Sequence, residues 1–228
     1  MSEMSDLFLS WAAMGSISLI DVPCGAGAAT LALVSTLHEL RNQSVLPKLP
    51  LNITVHGADV STDALDHFGA MADLIRQKVI SSGISLDWNL TEWDATDPVD
   101  TSAFMDNILA GSPKDLLAII SNFSGTISSL EPFRRSLEHI IERLSNTKAA
   151  VVLIEPKMNS SERYFGAIRR LWEGLAFWKS SSFRADEYML WHPIQDREIN
   201  CTIYCVYYGR EASNARRVYR RSAPNAST

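Results

Sequence analysis

The sequence predicts an α/β protein, doubly wound around a mostly parallel seven-stranded sheet and closed by a C-terminal antiparallel hairpin. Three observations predict it. From Ile17 onward, short apolar runs alternate with stretches of helical periodicity. An apolar run at 17–22 passes into a glycine-containing turn and then a helix start. Near the C-terminus, two apolar runs flank the polar turn Gln195-Asp196-Arg197-Glu198.

Taken in order, 17–22 reads as a buried strand and 28–40 as a helix with Leu31, Val34 and Leu37 on its apolar face. Pro47 and Pro50 make 42–51 a loop. Residues 53–59 form a second strand. Ser61 or Thr62 then caps a helix through Leu65, Phe68, Met71, Leu74 and Ile75 to about Ser82, which Gly83 ends. Residues 84–90 alternate as a third strand, and Asp94-Ala95-Thr96-Asp97-Pro98 breaks the pattern. A fourth strand at 116–121 leads into a loop at 122–129 and a helix at 131–144. A fifth strand follows at 149–155, then a helix at 161–175 with Phe165, Ile168, Leu171 and Trp172 on its core face. Residues 188–193 and 201–208 form the hairpin.

Composition narrows the class. With 228 residues, 46% hydrophobic and 21% charged, the chain can bury one substantial core, so one domain is expected at 17–209. Residues 1–16 form a lead-in and 210–228 a basic, disordered tail. The lead-in lacks a basic n-region, and no apolar run approaches the roughly 20 residues that span a bilayer, so a cytoplasmic protein without a membrane partner is expected. Cys201 and Cys205 share a strand face about 13 Å apart, too far for a bond or a shared ion, and no histidine spacing suggests a metal. The net charge of −5 is uneven. Asp87, Glu92, Asp94, Asp97, Asp100 and Asp106 occur with no basic residue between 84 and 113, whereas the tail has five arginines against one glutamate.

In an open parallel sheet, ligands bind beyond the carboxyl ends of the strands. Asp21, Cys24, Gly25 and Gly27 stand at the first such end, Asp59 and Val60 at the second, Asp94 and Ala95 at the third, and Ser121, Asn122, Phe123 and Ser124 at the fourth. Glycines let the backbone turn sharply and approach a ligand, while the opening N–H groups of the helix face it. A carboxylate at 21 repels a pyrophosphate, and Thr30 stands where a dinucleotide fold prefers glycine. S-adenosylmethionine carries an ammonium and a sulfonium and no phosphate, so it suits such a pocket. Asp59 is placed to accept two vicinal ribose hydroxyls. Asp94 can accept from an adenine amino group while Ala95 donates its N–H; Asp94 reads equally as a turn residue.

In kind and order these residues resemble the class I S-adenosylmethionine-dependent methyltransferases over 17–209. DVPCGAGAAT at 21–30 looks like the first motif and ADVS at 58–61 like the ribose-binding acidic loop. WDAT at 93–96 is similar to the adenine loop and ISNFSG at 120–125 to the fourth-strand motif. Pro23 stands where the first glycine of the family usually falls, and the 42–51 loop lengthens the interval from Gly27 to Asp59. The resemblance implies a Rossmann-like fold and S-adenosylmethionine as cofactor, with Ser121 and Asn122 bordering its methionine end.

Methyl transfer from a sulfonium needs positioning and water exclusion more than a fixed catalytic group. No catalytic residue is therefore assigned, and Asn122, Glu155 and Lys157 are the candidates. Phe123, Ser124, Trp191 and His192 are the candidate acceptor-side residues, with the 177–186 region, carrying Trp178, Phe183 and Arg184, as a further pocket loop. Two cues on the acceptor conflict: a small, open methyltransferase often acts on a macromolecule or closes by dimerising, whereas the acidic segments disfavour an unassisted polyanion. The balance falls slightly towards a small-molecule acceptor, with RNA or protein close behind. An inactive methyltransferase-like scaffold, or a chain working as a homodimer or with a partner subunit, is the other class of reading.

Overall fold

The computed structural model describes residues 15–113, 115–121, 130–156, 181–192 and 196–208. Strand β1 (Ser16–Asp21) leads into helix α1 (Ala28–Asn42), and β2 (Leu51–Asp59) into α2 (Thr62–Val79) with a 3-10 turn at Ile80–Ser82. Then come β3 (Ile84–Glu92), α3 (Pro98–Ala110), β4 (Leu116–Ser121), α4 (Leu130–Ser145) and β5 (Ala149–Pro156). Strands β6 (Ser181–His192) and β7 (Arg197–Tyr208) complete the described chain. The sheet runs β3-β2-β1-β4-β5-β7-β6. The first five are parallel, while β7 lies antiparallel to both β5 and β6.

Each central strand is apolar on both faces, as a strand covered by helices on both sides must be. Leu19, Leu117 and Ile119 pack with Val34 and Leu37 of α1 and Leu65 and Phe68 of α2. Their neighbours Ile20, Ala118 and Ile120 point the other way, against Phe104 and Ile108 of α3 and Phe133, Leu137 and Ile141 of α4. The sheet is therefore wound on both faces, with α1 and α2 on one and α3 and α4 on the other. Between strands, Arg41 closes the floor. It is buried, and its Nη1 donates to Leu49 O at 2.7 Å and Ser82 O at 2.9 Å, fixing the proline-containing loop before β2.

Several expectations need correction. Residues 98–110 are helix, not the tail of a pattern break. Asp97 caps α3, its Oδ1 accepting from Val99 N at 2.7 Å, and Pro98 occupies the first turn, where its missing N–H is not needed. Thr101, Phe104, Met105 and Ile108 form its buried stripe. Asp97→Ala is accordingly expected to cost about 1 kcal/mol of folding stability in urea unfolding. A loss below about 0.3 kcal/mol would show the cap to be idle. Strand β6 begins at Ser181, so Phe183 and Arg184 belong to a strand rather than to a pocket loop, and Arg197 and Glu198 belong to β7 rather than to the turn. The helix expected at 161–175 and the tail at 210–228 lie outside the described residues. Among the described residues, no helix is long and apolar enough to cross a membrane.

Candidate functional site

The parallel register brings the ends of β2 and β3 level, with β1 ending two residues short of them. Beyond the ladders, Val22 N donates to Ile119 O, Cys24 N to Ala58 O at 2.9 Å, and Trp93 N to Asp59 O at 3.0 Å. The chain after Asp21 is thus strapped to β2 before it turns. Gly27 N then donates to Cys24 O at 2.8 Å, closing the turn that starts α1. Gly25 and Gly27 both take left-handed φ values, +51° and +81°, which side-chain-bearing residues adopt at a cost. They differ in what surrounds them. A Cβ on Gly25 would meet nothing within 4 Å, whereas one on Gly27 would lie 2.7 Å from Cγ of Phe68 and closer still to its ring edge. Gly25 therefore faces open space, and Gly27 rests on a ring from α2.

Asp59 ties this turn to the next element. Its Oδ2 accepts from Gly25 N at 2.8 Å and its Oδ1 from Ser61 N at 3.0 Å. Ser61 in turn caps α2, its Oγ accepting from Ala64 N. A carboxylate has about four lone-pair sites, so each Asp59 oxygen retains acceptor capacity towards the open side. Val60, 67% exposed, follows as an apolar surface beside it.

Asp21 is fully buried. Thr30 donates to its Oδ2 from Oγ1 at 2.6 Å and from its backbone N at 3.3 Å, while Oδ1 has no hydrogen-bond partner. Burial pushes its pKa up to about 6, against the pull of the two Thr30 bonds, and the Asp59 carboxylate raises it further. Cys24 is also buried, and burial together with the Asp21 and Asp59 carboxylates raises its pKa well above the ordinary thiol range. It is a protonated packing residue, not a nucleophile.

At the third strand end the loop is anchored by Trp93, buried, with Nε1 donating to Thr101 Oγ1 at 3.1 Å. Asp94 is exposed and uses Oδ1 for a local turn, accepting from Thr96 N at 2.8 Å and Thr96 Oγ1 at 2.7 Å. Those two bonds hold its pKa below the ordinary carboxylate value. Oδ2 takes no part in that turn, and half-buried Ala95 lies next to it. Asp94 thus carries the turn role outright.

Ser121 ends β4 beside the glycine turn and is half-buried. Asn122, Phe123, Ser124 and Lys157 lie outside the described residues. Glu155 is the penultimate residue of β5, in register with Thr202. Trp191 and His192 end β6 opposite Glu198 and Arg197. Because Tyr188 and Pro156 both pair with Cys201, the last four residues of β6 run beyond the end of β5, by about 13 Å. A cleft of about 330 Å³ lined by Leu109, Ser112, Pro113, Arg143, Asn146 and Thr147 lies elsewhere. Those residues precede β4 and β5, so it opens at the opposite edge of the sheet.

Three residues were not singled out as site residues in the sequence. Thr30 orients Asp21, Phe68 seats Gly27, and Trp93 fixes the third loop; of these connections, the one between Phe68 and Gly27 joins residues distant in sequence.

No protein-family model matches the chain, and no curated protein matches it in sequence. Solved structures do. Protein LPL1258 from Legionella pneumophila shares 10% identity over 94% of this chain and 87% of its own, at a TM-score of 0.50. A putative DNA modification methyltransferase encoded within a prophage of E. coli shares 9% over 84% of this chain and 47% of its own, at 0.51. The methyltransferase domain of bacterial CtHen1 shares 13% over 90% and 95%, at 0.48. At such identities the likeness is one of fold. The chain has a Rossmann-like α/β fold with a mostly parallel sheet.

Proposed function

We propose that this protein is an S-adenosylmethionine-dependent methyltransferase acting on a small molecule. The observation that carries the reading is the pairing of an open, left-handed glycine turn with two carboxylates, Asp21 and Asp59, that have no cationic partner among the described residues. Such a site suits a nucleoside bearing positive charge and repels the pyrophosphate of a dinucleotide. Asp59 has the lone pairs left to accept a vicinal diol, and the orphaned Asp21 Oδ1 leaves an acceptor unsatisfied at the floor. Val60 and Ala95 would border the adenine, and Ser121 and Asn122 the methionine end. When bound, the cofactor supplies an electrophilic methyl group whose bonding electrons leave with sulfur.

The residues of the chain bind and orient in this reading. The acceptor approaches from the β4 and β5 side, where Phe123, Ser124, Trp191 and His192 are the proposed lining, with Asn122, Glu155 and Lys157 as candidate proton acceptors. A small-molecule acceptor is favoured over RNA because the rim on the cofactor side is acidic, with a protein acceptor as the alternative.

Calorimetric titration with S-adenosylmethionine, S-adenosylhomocysteine and NADH tests the pocket. Micromolar binding of the two sulfur ligands and none of NADH is expected. Asp59→Ala should weaken both roughly 10- to 100-fold, because it removes a ligand acceptor and frees Gly25 N–H from its anchor. Failure of both sulfur ligands to bind would reject the enzyme reading.

A further inference from the structure

The carboxylates around this site extend beyond the two that line it. Asp63 and Asp66 lie in the first turns of α2, Glu92 ends β3, and Asp94, Asp97 and Asp100 span the loop into α3. All six are exposed. The described ion pairs engage other acids: Arg76 with Asp73 and Asp87, Arg134 with Glu138, Arg143 with Asp106, and Lys148 with Asp115. Segments 15–30, 57–70 and 84–113, which supply the glycine turn and both neighbouring loops, contain no lysine or arginine.

A ring of acids on a surface is ordinarily just solvated. Here a second observation gives it a direction. Asp21 is fully buried beneath the turn, its Oδ1 has no partner, and its carboxylate feels that of Asp59 as a like charge. The negative potential of the rim therefore continues into the floor of the site, and no lysine or arginine in the three segments offsets it. Charges of one sign gathered around a site add their potentials on whatever enters it.

We infer that the acidic rim sorts the methyl donor from the spent cofactor by charge, retaining the first and releasing the second. The inference rests on the reading of the site given above. The donor carries one net positive charge, since ammonium and sulfonium outweigh its single carboxylate. The demethylated product is a neutral zwitterion. Adenine, ribose and amino-acid contacts are common to both and cancel in the comparison, so the rim acts on the one charge by which they differ. Loss of that charge at the moment of transfer weakens the hold on the product. The device then favours exchange of product for fresh donor.

Affinities measured by calorimetry at about 0.01 M and about 0.3 M salt separate this from a neutral pocket, because the screening length falls from about 30 Å to below 10 Å. Three probes are used: S-adenosylmethionine, S-adenosylhomocysteine, and an unreactive amine analogue that keeps the positive charge in place of the sulfonium. The two cationic ligands should weaken several-fold with added salt while the neutral one holds constant. In the triple variant Asp63→Asn, Asp66→Asn, Glu92→Gln, none of whose side chains makes a described hydrogen bond, the cationic ligands should lose about threefold at low salt and the neutral ligand nothing. Equal salt dependence for all three ligands in the wild type overturns the inference, even if the variant fails to fold. Absence of binding by every ligand overturns the underlying reading of the site instead.

Discussion

Gly27→Ala is expected to lose roughly 3 to 4 kcal/mol of folding free energy, whereas Gly25→Ala, two residues away in the same turn, loses only about 1 to 2. Both glycines have left-handed φ, and an L side chain there costs about 1 to 2 kcal/mol. At Gly27 that strain adds to a collision. Its Cβ would lie 2.7 Å from Phe68 Cγ, inside contact distance, and Phe68 is fully buried with no room to withdraw. Overpacking of this kind adds about 1 to 3 kcal/mol. Gly25 faces open space, so only the backbone term applies. Ligand binding should show the opposite sensitivity, since a methyl group on Gly25 would project into the open space proposed for the cofactor while leaving the protein folded. Urea unfolding of both variants, with calorimetry on Gly25→Ala, reads the two effects. A double variant Gly27→Ala, Phe68→Leu should recover more than about 1 kcal/mol relative to the sum of the singles. Additivity would show that the ring is not what constrains Gly27.

Why Gly27 matters could not be read from its position in a motif. The glycine turn was visible because an apolar run, an acid and two glycines before a helix have few alternative uses. The reason for the second glycine lies forty-one positions away on α2, in a residue that the sequence marks only as one of a helical apolar stripe. Asp59 is similar. Its place at a strand end was legible, but its bond to Gly25 N joins residues 34 apart and exists only once β1 and β2 are paired. The carboxylate is thus part of the turn as well as the proposed ligand acceptor, and its replacement should act through both.

The helix at Pro98–Ala110 escaped the sequence reading for a physical reason as well. In the sequence, Asp94 to Pro98 reads as a break in the strand pattern, and the acids nearby as an acidic rim. Asp97 and Pro98 form an N-cap and a first-turn proline, which is how a helix announces its start. The apolar stripe Phe104, Met105 and Ile108 lies between polar residues and has a weak periodicity; packing against α4 and the sheet decides it. Trp93 shows the converse. It belongs to a recognisable motif, yet its role is to bury its ring against Phe104 and bond Thr101, holding the loop that carries Asp94 and Ala95. Thr30, read in the sequence only as a departure from glycine, turns out to be the donor that orients Asp21.

Asp21→Asn is expected to stabilise the protein at neutral pH and to weaken cofactor binding in the same step. Burial pushes the Asp21 pKa up to about 6 from an unfolded value of 3.8. Because the folded-state pKa is the higher one, folding favours the protonated carboxyl. The stability this group contributes is fully present below pH 3.8 and is lost as pH rises through 6. At pH 7.5 the ionised carboxylate thus costs on the order of 3 kcal/mol, shrinking to about 1 kcal/mol at pH 4.5. Asparagine removes the charge and keeps an oxygen to accept from Thr30 N and Oγ1. Its amide nitrogen takes the place of Oδ1, which has no partner to lose. Urea unfolding of wild type and variant at the two pH values should therefore show a gap that widens with pH. A gap independent of pH, or a variant less stable throughout, would mean that the carboxylate is not the strained group. If the gap widens and S-adenosylmethionine binding falls, the buried charge is kept at the expense of stability because the ligand needs it. A stabilised variant that binds as before would leave Asp21 a relic of packing and shift the recognition of positive charge to Asp59 and the rim.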